Sequence, residues 1–335
     1  MVRFICNNEF QIEIMNIFNS ILSEDLSKRK LTAVIITLLI CIPLMIWSIY
    51  GIGEYGIALF MLIPLLMGMC STIIFGYGNE ITSAQARHIG FLTLMIFGCG
   101  LIVFALEGLI CIAMAAPFAI LLTWVGTIIG YQIVTKKPNQ SLNSILILVI
   151  VIPLFAFSES QTTPPVKPVI TSTIITATAE TVWKNVIAFP ELEEPYEILF
   201  KIGISYPMKS EIKGEGIGAV RYCQINTDDF VEPITHWEEN RLLVFDVLEQ
   251  PAPLKELSFW DVNSPHLHDY FVSKKGQFKI TDLGNGNVEL EGTTWYYHNI
   301  KPDFYWRLWS NLIIHKIHKR VLNHIKDVSE KESNL

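Results

Sequence analysis

Five side chains near the C-terminus are of the right types to hold a small molecule by a polar end: Tyr296, His298, Arg307, Asn311 and His318. They supply a phenol, two imidazoles, a fixed cation and an amide. A guanidinium can bond two oxygens at once, so Arg307 is the natural anchor for a polar or anionic head. At about 100° per residue, the last helix carries Lys316, Lys319, Arg320, Asn323, Lys326 and Asp327 on one face. The opposite face carries Ile314, Ile317, Val321, Ile325 and Val328. Extended backwards, this apolar face takes in Arg307, Ser310 and Asn311, with His318 at its edge. Tyr296 and His298 project from the preceding strand on one parity. Buried polar groups need partners, so this set either lines a ligand cavity or pairs with strand carboxylates and backbone.

Other chemistry is thinner. His266 and His268 share a strand face as a possible metal pair, and His315 and His318 lie one helical turn apart. Zinc needs three or four converging ligands, and hydrogen-bonded histidines are the better reading, so no metal and no cofactor are expected. Cys223 is the single cysteine after residue 158, and the chain has no CxxC, Gly-rich phosphate loop, GxSxG or HExxH. An acid–base pair using His298 or His318 with Arg307 is possible, but no spacing demands it.

The elements that must position these groups fall in two halves. Residues 1–158 hold 7 Lys/Arg and 7 Asp/Glu; residues 159–335 hold 18 and 25, so the whole net charge of −7 sits on the second half. A net-acidic domain excludes ordinary nucleic-acid binding. The first half is greasy. Leu31–Ile52 and Gly56–Tyr77 are each long enough to span a bilayer, and Ile89–Val134 is long enough for two spans with a turn at Glu107-Gly108. Ser141–Phe157 makes a fifth. Acidic Glu9, Glu13, Glu24 and Asp25 ahead of the first run argue against a cleaved signal peptide, and residues 10–22 read as a disordered leader or a surface amphipathic helix. Lys28, Arg29, Lys30, Arg87, Lys136 and Lys137 fall on one side if the N-terminus is cytoplasmic, which puts the second half outside the cytoplasm, across the inner membrane in a bacterium. If the fifth segment does not cross, the domain stays inside. Gly98, Gly100, Ala113, Ala115 and Ala116 are candidates for close helix packing.

The expected division is a leader at 1–30, a bundle of about five spans at 31–158, a Pro-rich linker at 159–168, a folded domain at 169–329 and a tail at 330–335. In the domain, Val169–Thr178 reads as a strand and Glu180–Ile187 as a helix stopped by Pro190, with a short helical piece over Leu192–Phe200. Strands follow at Gly216–Ile225, Phe230–Trp237, Arg241–Leu248, His268–Thr281 and Val288–His298, the last two joined by a Gly-Asn-Gly hairpin turn. A long helix runs from Asp303, a plausible cap, to about Val328. Tyr305, Leu308, Trp309 and Leu312 form an apolar strip on the outer side of its first half, a contact surface for lipid or a membrane-protein partner.

The stretches VITSTIITATAETVWKNVIAFPEL, GAVRYCQI, EENRLLVFDVLEQPAP and GNGNVELEGTTWYYHNIKPDFYWRLWS give this domain its resemblance. It resembles the START-like (SRPBCC) superfamily, which includes polyketide cyclase and coenzyme-Q-binding branches, over about residues 167–329. The resemblance implies an α+β helix-grip fold, an antiparallel sheet wrapped on the long helix, with a cavity between them for an apolar or amphipathic ligand. It implies binding of a lipid, quinone or polyketide-like compound, and the spans ahead of the domain make that binding membrane-anchored. A cyclase or hydrolase in the same cavity, or a filled domain that docks onto a membrane complex, are the alternatives.

Overall fold

The computed structural model describes residues 23–53, 55–136, 141–159, 164–255, 265–267 and 270–333. The leader segment 10–22 lies outside the described residues. The chain forms two compact units, Met1–Phe104 with Ile112–Gln161 and Ala105–Cys111 with Thr162–Leu335.

The first unit is helical. Helix α1 (Leu26–Ile46) runs on into a π-helical stretch, Trp47–Ile52; a second, Ala58–Leu62, leads into α2 (Ile63–Gly76); α3 (Ser83–Val103), α4 (Leu109–Lys136) and α5 (Ser141–Glu159) follow. The turn expected at Glu107-Gly108 separates α3 from α4. Four segments are long and apolar enough to cross a membrane: Leu26–Ile52, Ala58–Gly76, Ser83–Val103 and Leu109–Lys136. The apolar part of α5, Asn143–Glu159, is shorter, so length and composition give four spans where the sequence predicts five. Polar Asn143 and Ser144 at one end and Glu159 at the other shorten its apolar run.

Helices α2 and α4 pack backbone against backbone. A Cβ at Gly68 would lie 2.1 Å from the Thr123 carbonyl oxygen, and one at Gly126 would lie 2.2 Å from that of Leu65, so neither position admits a side chain. The expected packing positions Gly98 and Gly100 instead have open space before them. The sequence signal for the true contact is Gly126-Thr-Ile-Ile-Gly130, a small-xxx-small spacing. Polar side chains close both ends of α2. Arg29 of α1 is buried and donates from Nε to the Phe75 carbonyl at 2.8 Å and from Nη2 to that of Tyr77. At the other end, the Glu159 carboxylate accepts from the backbone N–H of Ile57 at 3.1 Å and of Ala58 at 3.3 Å. Glu159, expected to open the linker, is the buried last residue of α5.

The second unit is a sheet gripping a helix. Strands β1 (Lys167–Ile175), β2 (Pro207–Lys213), β3 (Val220–Ile225), β4 (Asp229–Glu238), β5 (Leu242–Asp246), β6 (Phe271–Gly284) and β7 (Asn287–His298) make one sheet in the order β1-β7-β6-β5-β4-β3-β2. Every pairing is antiparallel. The β6–β7 turn has Gly284, Asn285 and Gly286 at positive φ, as the Gly-Asn-Gly run requires. Helix α6 (Ala179–Ile187) is capped by the Thr178 hydroxyl, which accepts from the Thr181 N–H, and it buries Val182, Trp183 and Val186. The short piece expected at Leu192–Phe200 is one turn, α7 (Ile198–Lys201). Strand β2 has no counterpart in the sequence reading.

Helix α8 (Asp303–Ser333) lies on the sheet and buries Trp306, Ser310, Ile314, His318, Leu322 and Ile325. Leu322 and Ile325 join Trp183, Leu243, Ile280 and Leu290 in the core, each worth about 1.5–3 kcal/mol of apolar burial. Polar contacts tie α8 at both ends. Near its start, Asp303 meets Lys167 Nζ of β1 at 2.5 Å. Near its finish, Asn185 of α6 donates to Ser329 Oγ at 3.1 Å, Lys326 donates to the Ile174 carbonyl at 2.7 Å, and the Thr176 N–H donates to Glu330 at 2.9 Å. The expected outer strip is there in part: Leu308 and Leu312 are exposed, while Tyr305 and Trp309 are half-buried.

Candidate functional site

Between the concave face of the sheet and the middle of α8 lies a cavity of about 160 Å³. Its walls are mostly apolar: Phe230, Phe245, Phe271 and Phe278 from the sheet, Ile314 and Ile317 from α8. Alternation along the strands sets what else points inward. In β3, Arg221, Cys223 and Ile225 are buried and their neighbours are not. In β7, Gly292 faces Leu322 of α8, whose nearest atom would stand in van der Waals contact, 3.6 Å, with a Cβ there.

Among the buried polar groups that line this cavity, two stand out for their chemistry. The first is an ion pair. Arg221 of β3 and Glu232 of β4 are direct cross-strand partners, and Arg221 Nη1 donates to Glu232 Oε2. Their side chains are 2% and 8% exposed. Three rings surround the guanidinium, with Phe245 at 5.3 Å and Phe189 and Phe278 at 5.5 Å from its carbon. Each such cation–π contact is worth about 0.5–2 kcal/mol. Burial pushes the Glu232 carboxyl up, and Arg221 opposes that shift. Among the described residues Arg221 Nε has no hydrogen-bond partner. Burial also pushes the neighbouring Cys223 thiol up to about 12, which removes it as a nucleophile at neutral pH.

The second group is His318. Its Nε2 lies 2.8 Å from the Thr294 hydroxyl and its Nδ1 lies 3.0 Å from that of Thr171. The Thr171 oxygen also stands 2.7 Å from His315 Nδ1. Burial, helped by His315, holds the His318 imidazole down at about 4, so it is neutral at physiological pH. With both nitrogens occupied by hydroxyls, it is poorly placed to move a proton to or from a ligand.

The five residues expected from the sequence form a line rather than a cluster. His318 lines the cavity. Tyr296 is buried nearer the start of α8, where its hydroxyl donates to Asn311 Oδ1 at 2.8 Å; burial pushes the phenol up. His298 packs beyond it, the ring centroids 6.1 Å apart. Its Nδ1–H donates to the Ile300 carbonyl at 2.9 Å, its Nε2 is 3.5 Å from Asp303, and burial pushes the imidazole down. Arg307 does not share the gripping face. Its side chain is 44% exposed and its guanidinium stands 3.8 Å from Asp303. Trp306 and Ser310 hold the inward positions instead, because the i, i+4 row Trp306–Ser310–Ile314–His318 sets the phase of the helix. Asp303 is the first helical residue and binds Lys167, where a cap was expected.

Among the described residues no three His, Cys, Asp or Glu side chains come together as a metal site. His268 lies outside the described residues, so the His266/His268 pair is not placed. The polar groups missed in the sequence, Arg221 and Glu232, have one visible signal. Each interrupts a strand at a position whose parity partners, Cys223 with Ile225 and Ile234, are apolar.

No protein-family model matches the chain, and no curated protein matches it. Solved structures do. One is a Thalictrum norcoclaurine synthase point mutant in complex with a transition-state analogue, at 12% identity and TM-score 0.33, covering 51% of this chain and 99% of that one. Another is a Streptomyces aromatase/cyclase, at 14% identity and TM-score 0.31, covering 50% of this chain and 96% of that one.

Proposed function

We propose that this chain binds a hydrophobic or amphipathic small molecule between its sheet and α8, and that its apolar helices hold that binding domain at a membrane. The observation that carries the reading is the cavity itself. A well-packed domain of this size keeps few voids larger than a water molecule, yet about 160 Å³ is open here, next to a buried cation. An apolar cavity of roughly 150 Å³ holds a single aromatic ring. The aromatic walls narrow the space without closing it, which favours a binding domain over a filled interaction module. Among the described residues, the one imidazole on the cavity wall, His318, has both nitrogens on hydroxyls, which favours binding over acid–base turnover.

Gly292→Leu tests this. Gly292 lines the cavity, and a Cβ there would already stand in van der Waals contact with Leu322 and Phe278, so the rest of a leucine would take up cavity volume; a cooperative melting transition confirms that the variant is folded. A ligand that copurifies with the wild-type chain, read by native mass spectrometry of the detergent-extracted protein, should be lost from this variant. Retention of the same ligand by Gly292→Leu would remove it from the cavity.

A fifth crossing by α5, despite its short apolar stretch, is supported by where its neighbours bind α2. Arg29 caps the C-terminal end of α2, while Glu159 binds the N–H groups where α2's π-helical lead-in begins. Val134, late in α4 and shortly before α5 begins, lies by Gly76 at the C-terminal end of α2, which favours placing the two ends of α5 on opposite sides. With a cytoplasmic N-terminus, the binding domain lies outside the cytoplasm. An alkaline phosphatase fused after Leu335, active only after export, should be active; an inactive fusion with full expression would put the domain inside.

A further inference from the structure

The two histidines that lie one turn apart on α8 meet at one hydroxyl. Thr171 Oγ of β1 stands 2.7 Å from His315 Nδ1 and 3.0 Å from His318 Nδ1, and His318 Nε2 stands 2.8 Å from Thr294 Oγ of β7. These side chains form one hydrogen-bonded line that starts at the edge strand and ends at the cavity. Its outer end, His315, is half-buried, while Thr171 is 8% and His318 9% exposed. Its inner end, Thr294, lines the cavity and is half-buried, whereas Gly292, Thr293 and Tyr296 around it on β7 are buried.

The supply of hydrogens fixes how this line is ordered. A neutral imidazole carries one N–H, and a hydroxyl carries one O–H. His318 is neutral at physiological pH, so it donates from one nitrogen and accepts at the other. If His315 Nδ1 accepts, Thr171 spends its hydrogen there. His318 must then donate from Nδ1 to Thr171 and accept at Nε2, which takes up the Thr294 hydrogen. If His315 Nδ1 donates, the Thr171 hydrogen goes to His318 Nδ1. His318 then donates from Nε2 to Thr294, and the Thr294 hydrogen is released for another acceptor. The alternative, Thr171 accepting from both rings, leaves its own hydrogen unused at a buried site, which is costly. A charged His315 has a hydrogen on both nitrogens, so its Nδ1 can only donate.

We propose that Thr294 is a polar contact for the ligand, and that His315, acting through Thr171 and His318, sets whether its hydroxyl can donate. With His315 charged, Thr294 donates to an acceptor in the cavity. With His315 neutral and accepting at Nδ1, Thr294 can only accept. The proposal rests on the binding reading above and adds its control; His315, Thr171 and His318 are positioning residues. Other charges near the line are few. β1 brings Lys167, bound to Asp303 of α8; β7 brings Tyr296 and His298 on its inner face; α8 itself brings Lys316 and Lys319. The cavity adds the Arg221–Glu232 pair and Lys275. His315 is the charge that acts on His318.

The proton on His318 is read directly by its imidazole nitrogen-15 shifts, in the full chain in detergent micelles. The pH is scanned above the value of about 4 at which His318 itself charges. His318 should stay neutral and move its proton from Nδ1 to Nε2 as His315 gains its own. Thr171→Val keeps both histidines and should leave His318 in one tautomer throughout. His315→Phe should do the same, and serves if the valine variant unfolds. Two single-ring probes read the inner end, in lipid nanodiscs with empty nanodiscs subtracted: anisole, whose ether oxygen accepts, and ethylbenzene, of the same outline without an acceptor. Wild type should prefer anisole by about threefold or more when His315 is charged, the ratio for one neutral hydrogen bond. The preference should vanish when His315 is neutral, and Thr294→Val should show none at any pH. A single His318 tautomer across the scan, or a switch that survives in Thr171→Val, would overturn the relay. A preference for anisole that does not follow the His318 tautomer would overturn the role of Thr294. Equal binding of the two probes at every pH would also overturn it and leave the cavity reading standing. No binding of either probe above the empty nanodiscs would take down the cavity reading, and the role of Thr294 with it.

Discussion

Arg221→Met should destabilise the C-terminal domain by about 3–5 kcal/mol, the cost of leaving a buried charge without its partner. The reason is geometric. Glu232 is buried beside Arg221, and removing the guanidinium strands a carboxylate among Phe189, Phe245 and Phe278. The cation–π contacts go with it. The double change Arg221→Met, Glu232→Leu removes both charges and replaces them with side chains of similar bulk, so it should fold close to wild type or better. Thermal unfolding of the three proteins under one condition gives the comparison. A single variant as stable as the double one would mean that Glu232 is already hydrated or protonated in the folded chain. The pair would then contribute nothing to the architecture.

The second large effect is a pH dependence carried by His318. Its folded-state value is about 4, below the ordinary 6.5, because the ring is buried and His315 is near. The sign follows from where the proton binds more tightly. Between those two values the unfolded chain takes up a proton that the folded chain refuses, so stability falls as pH falls. The contribution is complete above pH 6.5 and lost as pH drops to about 4. The shift corresponds to about 3 kcal/mol. Wild type should therefore lose that much more than His318→Gln between pH 7 and pH 4, measured by chemical unfolding at each pH. Parallel slopes for the two proteins would show that His318 is protonated in the folded state, with the Thr171 and Thr294 hydroxyls turned to accept from it.

Much of the fold is legible in the sequence, and the illegible parts share a cause. Strands β3 to β7 announce themselves by alternation, and the β6–β7 turn by Gly284-Asn285-Gly286. Strand β2 does not, because Pro207, Met208, Lys209, Ser210 and Glu211 carry almost no β-branched or alternating apolar signal; only pairing with β3 makes it a strand. The site is less legible than the fold. His318, Tyr296 and Asn311 are recoverable from helix and strand periodicity, and they do face inward. Arg307 fails because the angle of a helix is fixed by its whole buried row, and Trp306 outweighs its polar neighbour in setting that row. That Arg221 and Glu232 meet is not legible for a different reason. Residues eleven apart on two strands meet only through a register that no single-strand pattern records. The most consequential polar group in the cavity is thus the one whose position depends on a non-local pairing.

The ties at the two ends of α8 bear on how a ligand arrives. A helix of 31 residues is about 46 Å long, and it is bolted at Lys167–Asp303 near one end and at Asn185–Ser329 near the other. A lid needs a free end, and this element has none. For the proposed ligand, passage in and out would then fall to the connections that border the cavity, such as the stretch carrying Gln250 and Pro253, while α8 stays seated. Residence time then tracks the local opening rate of that rim and not the stability of the helix, so variants that melt early need not be variants that leak.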